Sequence, residues 1–317
     1  GLVLLLLCIG LLLLIIPVSA QADDPEDALV EIDLSPPVLG EFDAAAIADI
    51  NPEDYAILPE LTAHARQIFA TGQELGNNPR VFSKVGDCMT ASPDFIVAFG
   101  TDDYDLGDYA DLQPVIDYFA GTPARDEGFE FDSFTNPGLS TSSGYNTASV
   151  FDSIWANPNW CAAGESPISC EYRVSRPAFS LIMFGTNDVF FTDPGLFDYN
   201  LRLIVLETIK SGVIPVLHTF PTRPDYPERS FLLNQTIIDV AADYDIPLVN
   251  LWLALEVLPN GGVDADRTIH LTVPVDGTST GVFDEETLQT GYTLRNLVTL
   301  QVFDVLLRQL ELLEDGE

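Results

Sequence analysis

Basic residues are scarce in this chain of 317 residues. Lysine and arginine together number 13, against 49 aspartate and glutamate residues, and the formal net charge is −36 at pH 7. Such a charge repels phosphate backbones and anionic membrane surfaces, so the composition argues against nucleic acid as a partner. We interpret the charge as a device for solubility outside the cell, with attraction of cationic partners or calcium as the alternative.

Cysteine is also rare, with four residues in the chain. Cys161 and Cys170 flank a short loop that contains Gly, Pro and Ser, and they could close it as a disulfide. Because Cys8 lies in an apolar N-terminal run, Cys88 is then left unpaired. A lone thiol in an exported protein is either buried and inert or retained for its reactivity.

The N-terminal run at residues 1–17 is almost wholly apolar, and Val18-Ser19-Ala20 then offers a small-x-small cleavage pattern. We interpret residues 1–20 as a secretory signal peptide with a truncated start. The alternative is an uncleaved anchor, because the run is only slightly shorter than a membrane span, and residues 1–17 would then tether the protein. Both interpretations predict a secreted or extracytoplasmic protein, in a compartment where disulfides persist.

Residues 21–56 are rich in Asp, Glu, Pro and Ala and have no sustained periodicity, so we expect an acidic linker there. From residue 57 onward, apolar strand-like runs alternate with helical patterns. Strands are predicted at 80–85, 178–184, 213–217 and 247–251. Helices are predicted at 58–75, 112–119, 147–156, 196–211, 231–244 and 292–313. Apolar strands separated by helices predict an α/β protein with a parallel sheet covered on both faces. We expect one domain over residues 57–317, and a monomer.

Four short blocks carry the chemistry, each at a predicted strand end or helix start. They are Gly86-Asp87-Cys88, Ser143-Gly144-Tyr145-Asn146, Gly185-Thr186-Asn187-Asp188 and Asp266-Arg267-Thr268-Ile269-His270-Leu271. In a doubly wound sheet such loops converge on the carboxyl edge of the strands, where active sites form. A nucleophile at Cys88 needs a base, which His270 can supply. His218, at the end of a predicted strand, is a reserve base, and His64 is interpreted as structural.

An oxyanion that develops at this edge needs preorganised donors. The backbone N–H groups of Cys88 and Gly144 and the side-chain amide of Asn187 could supply them. Glycine at position 144 would let the backbone approach the substrate closely. This chemistry requires no metal ion and no organic cofactor, so none is predicted.

The order and spacing of the four blocks resemble the SGNH, or GDSL, hydrolase superfamily, whose blocks carry Ser, Gly, Asn and His. The resemblance extends over residues 80–312. It implies a flavodoxin-like three-layer α/β/α sandwich with a mostly parallel sheet, and cleavage of carboxylic esters, such as acyl or acetyl esters of lipids or glycans. By resemblance, Cys88 occupies the nucleophile position, Gly144 and Asn187 the oxyanion positions and His270 the base position.

Two positions depart from the family pattern. Cys88 stands where the family has Ser, and a site shaped for serine could acylate a thiol and then release the acyl group slowly. Arg267 stands three residues before His270, where the family carries an Asp that orients the ring. Asp266 is the candidate orienter, with Asp264 as the alternative.

We therefore expect a secreted ester hydrolase that uses a Cys88–His270 pair on a small-molecule or glycan ester. Two alternatives stay open. The first is a catalytically impaired binding protein of the same fold for acylated or glycan ligands, which both departures favour. The second is an acyltransferase that works through a Cys88 thioester.

Overall fold

The computed structural model describes residues 32–126 and 128–313. The expected signal peptide or anchor at residues 1–20, with the first part of the expected linker, lies outside these ranges. Within them, no helix combines the length and the apolar character needed to cross a bilayer.

Strands and helices alternate along the described chain. The strands are β1 (Asn78–Gly86), β2 (Tyr104–Asp105), β3 (Ser140–Thr141), β4 (Pro177–Met183), β5 (Ile214–His218), β6 (Leu248–Val249) and β7 (Gly281–Val282). The helices are α1 (Ala63–Leu75), α2 (Cys88–Ala91), α3 (Gln113–Phe119), α4 (Pro167–Ser175), α5 (Asp188–Phe191), α6 (Pro194–Lys210), α7 (Pro227–Asp243), α8 (Leu251–Leu255) and α9 (Gly291–Gln309). Short 3₁₀ turns join several of them.

One parallel sheet organises the domain. Its strand order is β3-β1-β4-β5-β6, and β2 and β7 pair separately. Along the chain this order reads second, first, third, fourth, fifth, which is the doubly wound order of flavodoxin-like folds. The strand order reverses beside β1, and in doubly wound folds ligands bind outside the carboxyl ends of the strands at such a point. The predicted α/β class with a mostly parallel sheet is confirmed.

Helices cover both faces of this sheet, because its long strands carry buried side chains on both sides. On one face, Phe82 of β1 packs against Phe303 of α9 with ring centroids 4.8 Å apart. On the other face, the buried Tyr172 of α4 donates a 2.9 Å hydrogen bond to Ser180 of β4 and lies 2.8 Å from the Thr208 hydroxyl of α6. The expected three-layer sandwich is therefore present.

Part of the segment expected to be a linker packs against the domain. Gln235 of α7 donates from its side-chain amide to the Ile47 carbonyl at 3.2 Å, and Asn250, ahead of α8, donates to the Pro52 carbonyl at 2.7 Å. Ile47 is itself buried. Residues 47–52 are thus held by side chains of the domain, while the domain boundary stays a prediction.

The segment at 147–156 differs from its prediction. The apolar spacing predicts one helix, but Asp152 is extended there and its carboxylate accepts a hydrogen bond from the Ile154 N–H. A side chain that bonds to nearby backbone in this way competes with helix formation. The chain forms two short 3₁₀ turns instead, Ser149–Phe151 and Ser153–Trp155.

The disulfide between Cys161 and Cys170 is confirmed, and it ties the loop before α4 to that helix. With Glu165 these sulfurs are also the one group of metal-ligating side chains found in the described ranges, but the disulfide uses both sulfurs. Cys88 is left as the free cysteine of the described chain, and it is buried.

Candidate active site

The ends of β1 and β4 bring the first and third blocks together. Strand β1 ends at Gly86, which pairs with the last residue of β4. Gly185 follows β4 with φ 133°, and a Cβ there would lie 2.2 Å from the Phe220 ring, so the turn out of the sheet requires glycine. Cys88 and Asn187 therefore stand at the point where the strand order reverses, where ligands bind in doubly wound folds.

Cys88 is the first residue of the short helix α2. The Asp87 carboxylate caps this turn and accepts a hydrogen bond from the Met89 N–H at 3.0 Å. The Cys88 side chain is only 3% exposed, and its thiol donates to the Ile269 carbonyl across 3.5 Å. The nucleophile candidate thus lies on the floor of the site, directly under the fourth block.

The electrostatic surroundings of Cys88 favour the thiol over the thiolate. Burial, and after it the Asp87 charge, raise the pKa of the Cys88 thiol to about 12, while Arg223 acts in the opposite direction. Burial also raises the pKa of Asp87, to about 7. The thiol is therefore protonated at neutral pH, and attack on a carbonyl requires a base.

His270 follows Ile269 on the loop that passes over this thiol. Burial, and after it the Arg267 charge, lower the pKa of His270, which keeps the ring neutral at pH 7 as a base must be. The loop is tight, because the His270 N–H donates to the Arg267 carbonyl at 2.8 Å. Within the described chain, no hydrogen bond joins the His270 ring to the Cys88 thiol. The base candidate is near the nucleophile but not engaged with it.

The two candidate orienters of His270 differ in their surroundings. Asp266 is exposed, and its carboxylate makes no hydrogen bond to the His270 ring among the described contacts. Asp264 accepts from the N–H groups of Asp266 and Arg267, each at 2.9 Å, and pairs with the Arg267 guanidinium at 3.1 Å. The Asp264 charge raises the pKa of His270. The Asp264 carboxylate is thus held by Arg267, and the roles of Asp264 and Asp266 as orienters both stay predictions.

Gly144 and Asn187, the oxyanion candidates, are linked through Tyr145. The buried Asn187 amide donates to the Tyr145 carbonyl at 2.7 Å. An amide nitrogen carries two donors, so this bond leaves one N–H for a ligand. Gly144 is exposed with φ 86°, and no atom lies within 4 Å of where a Cβ would stand. Gly144 follows β3 and Asn187 follows β4, so both residues lie at the carboxyl edge of the sheet.

Asp188 braces the second and third blocks against each other, a role that the sequence did not indicate. One oxygen of its buried carboxylate accepts from the N–H and hydroxyl of Thr147 at 3.1 and 2.7 Å, and from the Thr192 hydroxyl at 2.9 Å. Burial raises the pKa of Asp188 despite these bonds. This carboxylate fixes the turn that carries Asn187.

Sequence reasoning also missed Arg223, which lies in the loop between β5 and α7. Its Nη1 donates to the Thr186 carbonyl at 3.1 Å, and its Nη2 lies 3.5 Å from the Thr268 hydroxyl. Arg223 thereby joins the third block to the fourth. A basic residue in the loop that follows a strand of the sheet, in so acidic a chain, was the available signal.

His218, the reserve base, is buried at the end of β5. Its Nδ1 lies 3.0 Å from the Val216 carbonyl, and burial lowers the pKa of His218 to about 3. No hydrogen bond in the described chain links His218 to Cys88. His64 lies in α1 with its Nδ1 2.6 Å from the Tyr244 carbonyl, as a structural histidine would.

A shallow groove of about 380 Å³ opens beside Gly144. Trp155 and Phe191 flank it with 56% and 66% of their surface exposed. The Trp155 ring packs edge-on against Tyr145, with centroids 5.7 Å apart. The groove also presents polar side chains, those of Asn146, Ser149 and Asp152. It can therefore receive a ligand with both apolar and polar surfaces.

No family model matches the chain, and no curated protein matches it significantly. Similar solved structures include the lipase/acylhydrolase from Enterococcus faecalis, with 18% identity, a TM-score of 0.44, and coverage of 70% of this chain and 94% of that one. Esterase EstA from Pseudoalteromonas sp. has 13% identity, a TM-score of 0.42, and coverage of 73% and 99%. The acetylxylan esterase Axe2 from Geobacillus stearothermophilus has 15% identity, a TM-score of 0.40, and coverage of 70% and 93%.

Proposed function

We propose that this protein is an exported SGNH-type hydrolase that cleaves carboxylic esters, with Cys88 as the nucleophile and His270 as the base. The observation that carries the proposal is the meeting of the four blocks. Cys88 lies at the switch point of the sheet, and its thiol contacts the Ile269 carbonyl at 3.5 Å. The Asn187 amide is bonded to the residue after Gly144 at 2.7 Å.

In the proposed reaction, His270 takes the thiol proton while the Cys88 sulfur attacks the acyl carbon. The carbonyl oxygen becomes an oxyanion, which accepts hydrogen bonds from the Cys88 and Gly144 N–H groups and from the Asn187 amide. The ester C–O bond then breaks, and the alcohol leaves with the proton from His270. Water, deprotonated by the same ring, hydrolyses the thioester, and the thiol regains its proton as the acid departs.

The groove beside Gly144 supports a substrate with little charge. Exposed rings of Trp155 and Phe191 fit an acyl chain or the apolar face of a sugar, and the overall negative charge disfavours anionic esters. Acyl or acetyl esters of lipids or glycans satisfy both conditions. Export is supported by the disulfide at Cys161 and Cys170.

The decisive test is hydrolysis of p-nitrophenyl acetate by the purified protein and by Cys88→Ser, Cys88→Ala and His270→Ala. Activity that is lost in Cys88→Ala and His270→Ala supports the mechanism. His64→Ala is the matched control, because that ring contacts the Tyr244 carbonyl in a different part of the domain. Full activity in Cys88→Ala would refute the mechanism.

A second candidate, a binding protein of the same fold, is favoured by the protonated and buried thiol. Burial raises the pKa of Cys88 to about 12, and the His270 ring makes no hydrogen bond to this thiol in the described structure. In that case, Cys88→Ser alone would hydrolyse the ester. The unaltered protein would retain acylated ligands in equilibrium dialysis without cleaving them.

A further inference from the structure

Arg223 is a nearly buried cation at the edge of the sheet where the four blocks meet. Its side chain is 12% exposed, although it belongs to none of the blocks. Nη1 donates to the Thr186 carbonyl at 3.1 Å, which ties the guanidinium to the turn that presents Asn187. A charged group held this way is fixed relative to the oxyanion side of the site.

The other arm of the guanidinium reaches the loop that carries His270. Nη2 lies 3.4 Å from the Asp225 carboxylate and 3.5 Å from the Thr268 hydroxyl. That hydroxyl in turn donates to the same Asp225 oxygen at 3.0 Å. The three side chains form a closed set of contacts, which we call the clasp (Arg223, Asp225 and Thr268). The clasp ends one residue before Ile269.

The clasp therefore acts on the nucleophile through Ile269, the residue that follows Thr268. The Ile269 carbonyl accepts a hydrogen bond from the Cys88 thiol at 3.5 Å, and His270 is the next residue. A displacement of Thr268 would move both the acceptor of the thiol and the proposed base.

We propose that Arg223 is a positioning residue of this site, which holds the Thr268–His270 segment over Cys88 and places a fixed positive charge beside the nucleophile. The inference rests on the proposed function, because positioning has meaning only where Cys88 and His270 react together.

Several ionisable side chains act on the Cys88 thiol, and Arg223 differs from the others in its effect and its place. Asp87, on the same turn, raises the pKa of Cys88, whereas Arg223 lowers it. Tyr292 and Arg295 of α9 also interact with Cys88 electrostatically. Arg295 is buried and donates to the Met89 carbonyl of α2 at 2.8 Å. Arg223 is therefore the cation that contacts the turn before Asn187 and the loop before His270.

Arginine suits this place better than lysine. A guanidinium presents donors in a planar fork, so it can contact the Thr186 carbonyl with one nitrogen and the Asp225–Thr268 pair with the other. An ammonium is a single point charge and would keep the charge but lose one arm of the clasp. Arg223→Lys and Arg223→Gln thus separate the effect of the charge from the effect of the positioning.

The test is the pH profile of Cys88 alkylation by iodoacetamide, followed on the Cys88 peptide by mass spectrometry, together with kcat and KM for p-nitrophenyl acetate. In Arg223→Gln we expect the profile to move to higher pH, so that the alkylation rate at a fixed pH below the midpoint falls, because the Arg223 charge lowers the pKa of Cys88 by less than burial and Asp87 raise it. We expect kcat to fall while KM changes little. Arg223→Lys should keep the midpoint of the alkylation profile and still show a lower kcat.

Arg229→Gln is the matched control, because Arg229 donates to the Thr192 carbonyl near the same loop and has no contact with Cys88. Thr268→Val removes the hydroxyl of the clasp and leaves Arg223 in place, so it tests the inference if Arg223→Gln does not fold. It should lower kcat without moving the alkylation midpoint.

Failure of the proposed function and failure of the inference on Arg223 give different results. If no form of the protein cleaves an ester but Arg223→Gln shifts the alkylation profile, the proposed function fails and the placement of the charge stands. If the protein is active and both Arg223→Gln and Thr268→Val match Arg229→Gln in profile and kcat, the inference is overturned while the function survives.

Discussion

The thiol of Cys88 donates to the carbonyl oxygen of Ile269 across 3.5 Å. In this contact the Cys88 proton is shared with the Ile269 carbonyl and not with the ring of His270, the proposed base and the next residue in the chain. The thiol is neutral and lies against this loop. The proposed reaction would require the thiol to leave the Ile269 carbonyl and to meet the His270 ring.

Asp87→Asn should change stability in a pH-dependent way. The pKa of Asp87 is raised from its ordinary value of 3.8 to about 7, chiefly by burial. The folded state therefore holds a proton that the unfolded state releases, so this group's contribution to stability is full below pH ~4 and is lost as pH rises through ~7. Asparagine keeps the bond from the Met89 N–H and carries no charge.

The measurement is the urea midpoint of unfolding from pH 4 to pH 8 for the unaltered protein and for Asp87→Asn. The advantage of the variant should grow between pH ~4 and ~7 and then level off. Asp266→Asn, at an exposed position, is the control and should give a curve parallel to that of the unaltered protein. Parallel curves for Asp87→Asn as well would show that this carboxyl is not buried as described.

Arg267→Asp should increase ester cleavage. Position 267 lies three residues before His270, and Arg267 lowers the pKa of that ring. An Asp there would supply the carboxylate that orients the imidazole and stabilises its protonated form. Because loss of such an Asp costs roughly 10⁴-fold in a serine protease triad, a gain of about tenfold or more in kcat is expected.

Arg267→Asn separates this effect from simple loss of the positive charge. It releases Asp264, which pairs with Arg267 at 3.1 Å, and adds no carboxylate. Equal kcat values for Arg267→Asp and Arg267→Asn would mean that a carboxylate at this position does not reach His270.

The sequence indicated the fold because its signals are local. Apolar runs followed by glycine predicted β1 and β4. The position of the four blocks at strand ends and helix starts predicted that Cys88 and Asn187 lie at the same edge of the sheet. A local signal was also overlooked at α4, where Ser166 accepts from the Ser169 N–H as an N-cap and Pro167 occupies the first turn. No helix is predicted over this segment, although both residues are typical of a helix start.

The remaining parts of the site depend on contacts between distant segments. Asp188 bonds Thr147, 41 positions earlier in the chain, and Arg223 lies 45 positions from Thr268. Neither pairing leaves a periodicity or a spacing that sequence alone reveals. Asp264 was kept only as an alternative, since its coupling to His270 depends on the shape of the loop.

Trp155→Ala should weaken substrate binding more than chemistry. The ring is 56% exposed on the groove beside Gly144 and contacts no residue of the proposed catalytic pair. Loss of an aromatic wall costs about 1.4 kcal/mol, which corresponds to roughly a tenfold rise in KM with kcat retained. An acetylated oligosaccharide and p-nitrophenyl octanoate, compared side by side, distinguish a sugar from an acyl chain as the occupant. If Trp155→Ala and the unaltered protein have the same KM for each of the two esters, the substrate binds outside this groove.

Asn187→Ala should abolish most of the activity without unfolding the domain. Its amide donates to the Tyr145 carbonyl at 2.7 Å and retains one N–H for the oxyanion. Removal of one such donor typically costs about 10²–10³ in kcat, with little change in KM. Asn157 is exposed, so Asn157→Ala is the matched control and should keep the kcat of the unaltered protein. If Asn187→Ala kept full kcat while its melting temperature fell, the amide would serve only to hold the Tyr145 loop, and the oxyanion would need another donor.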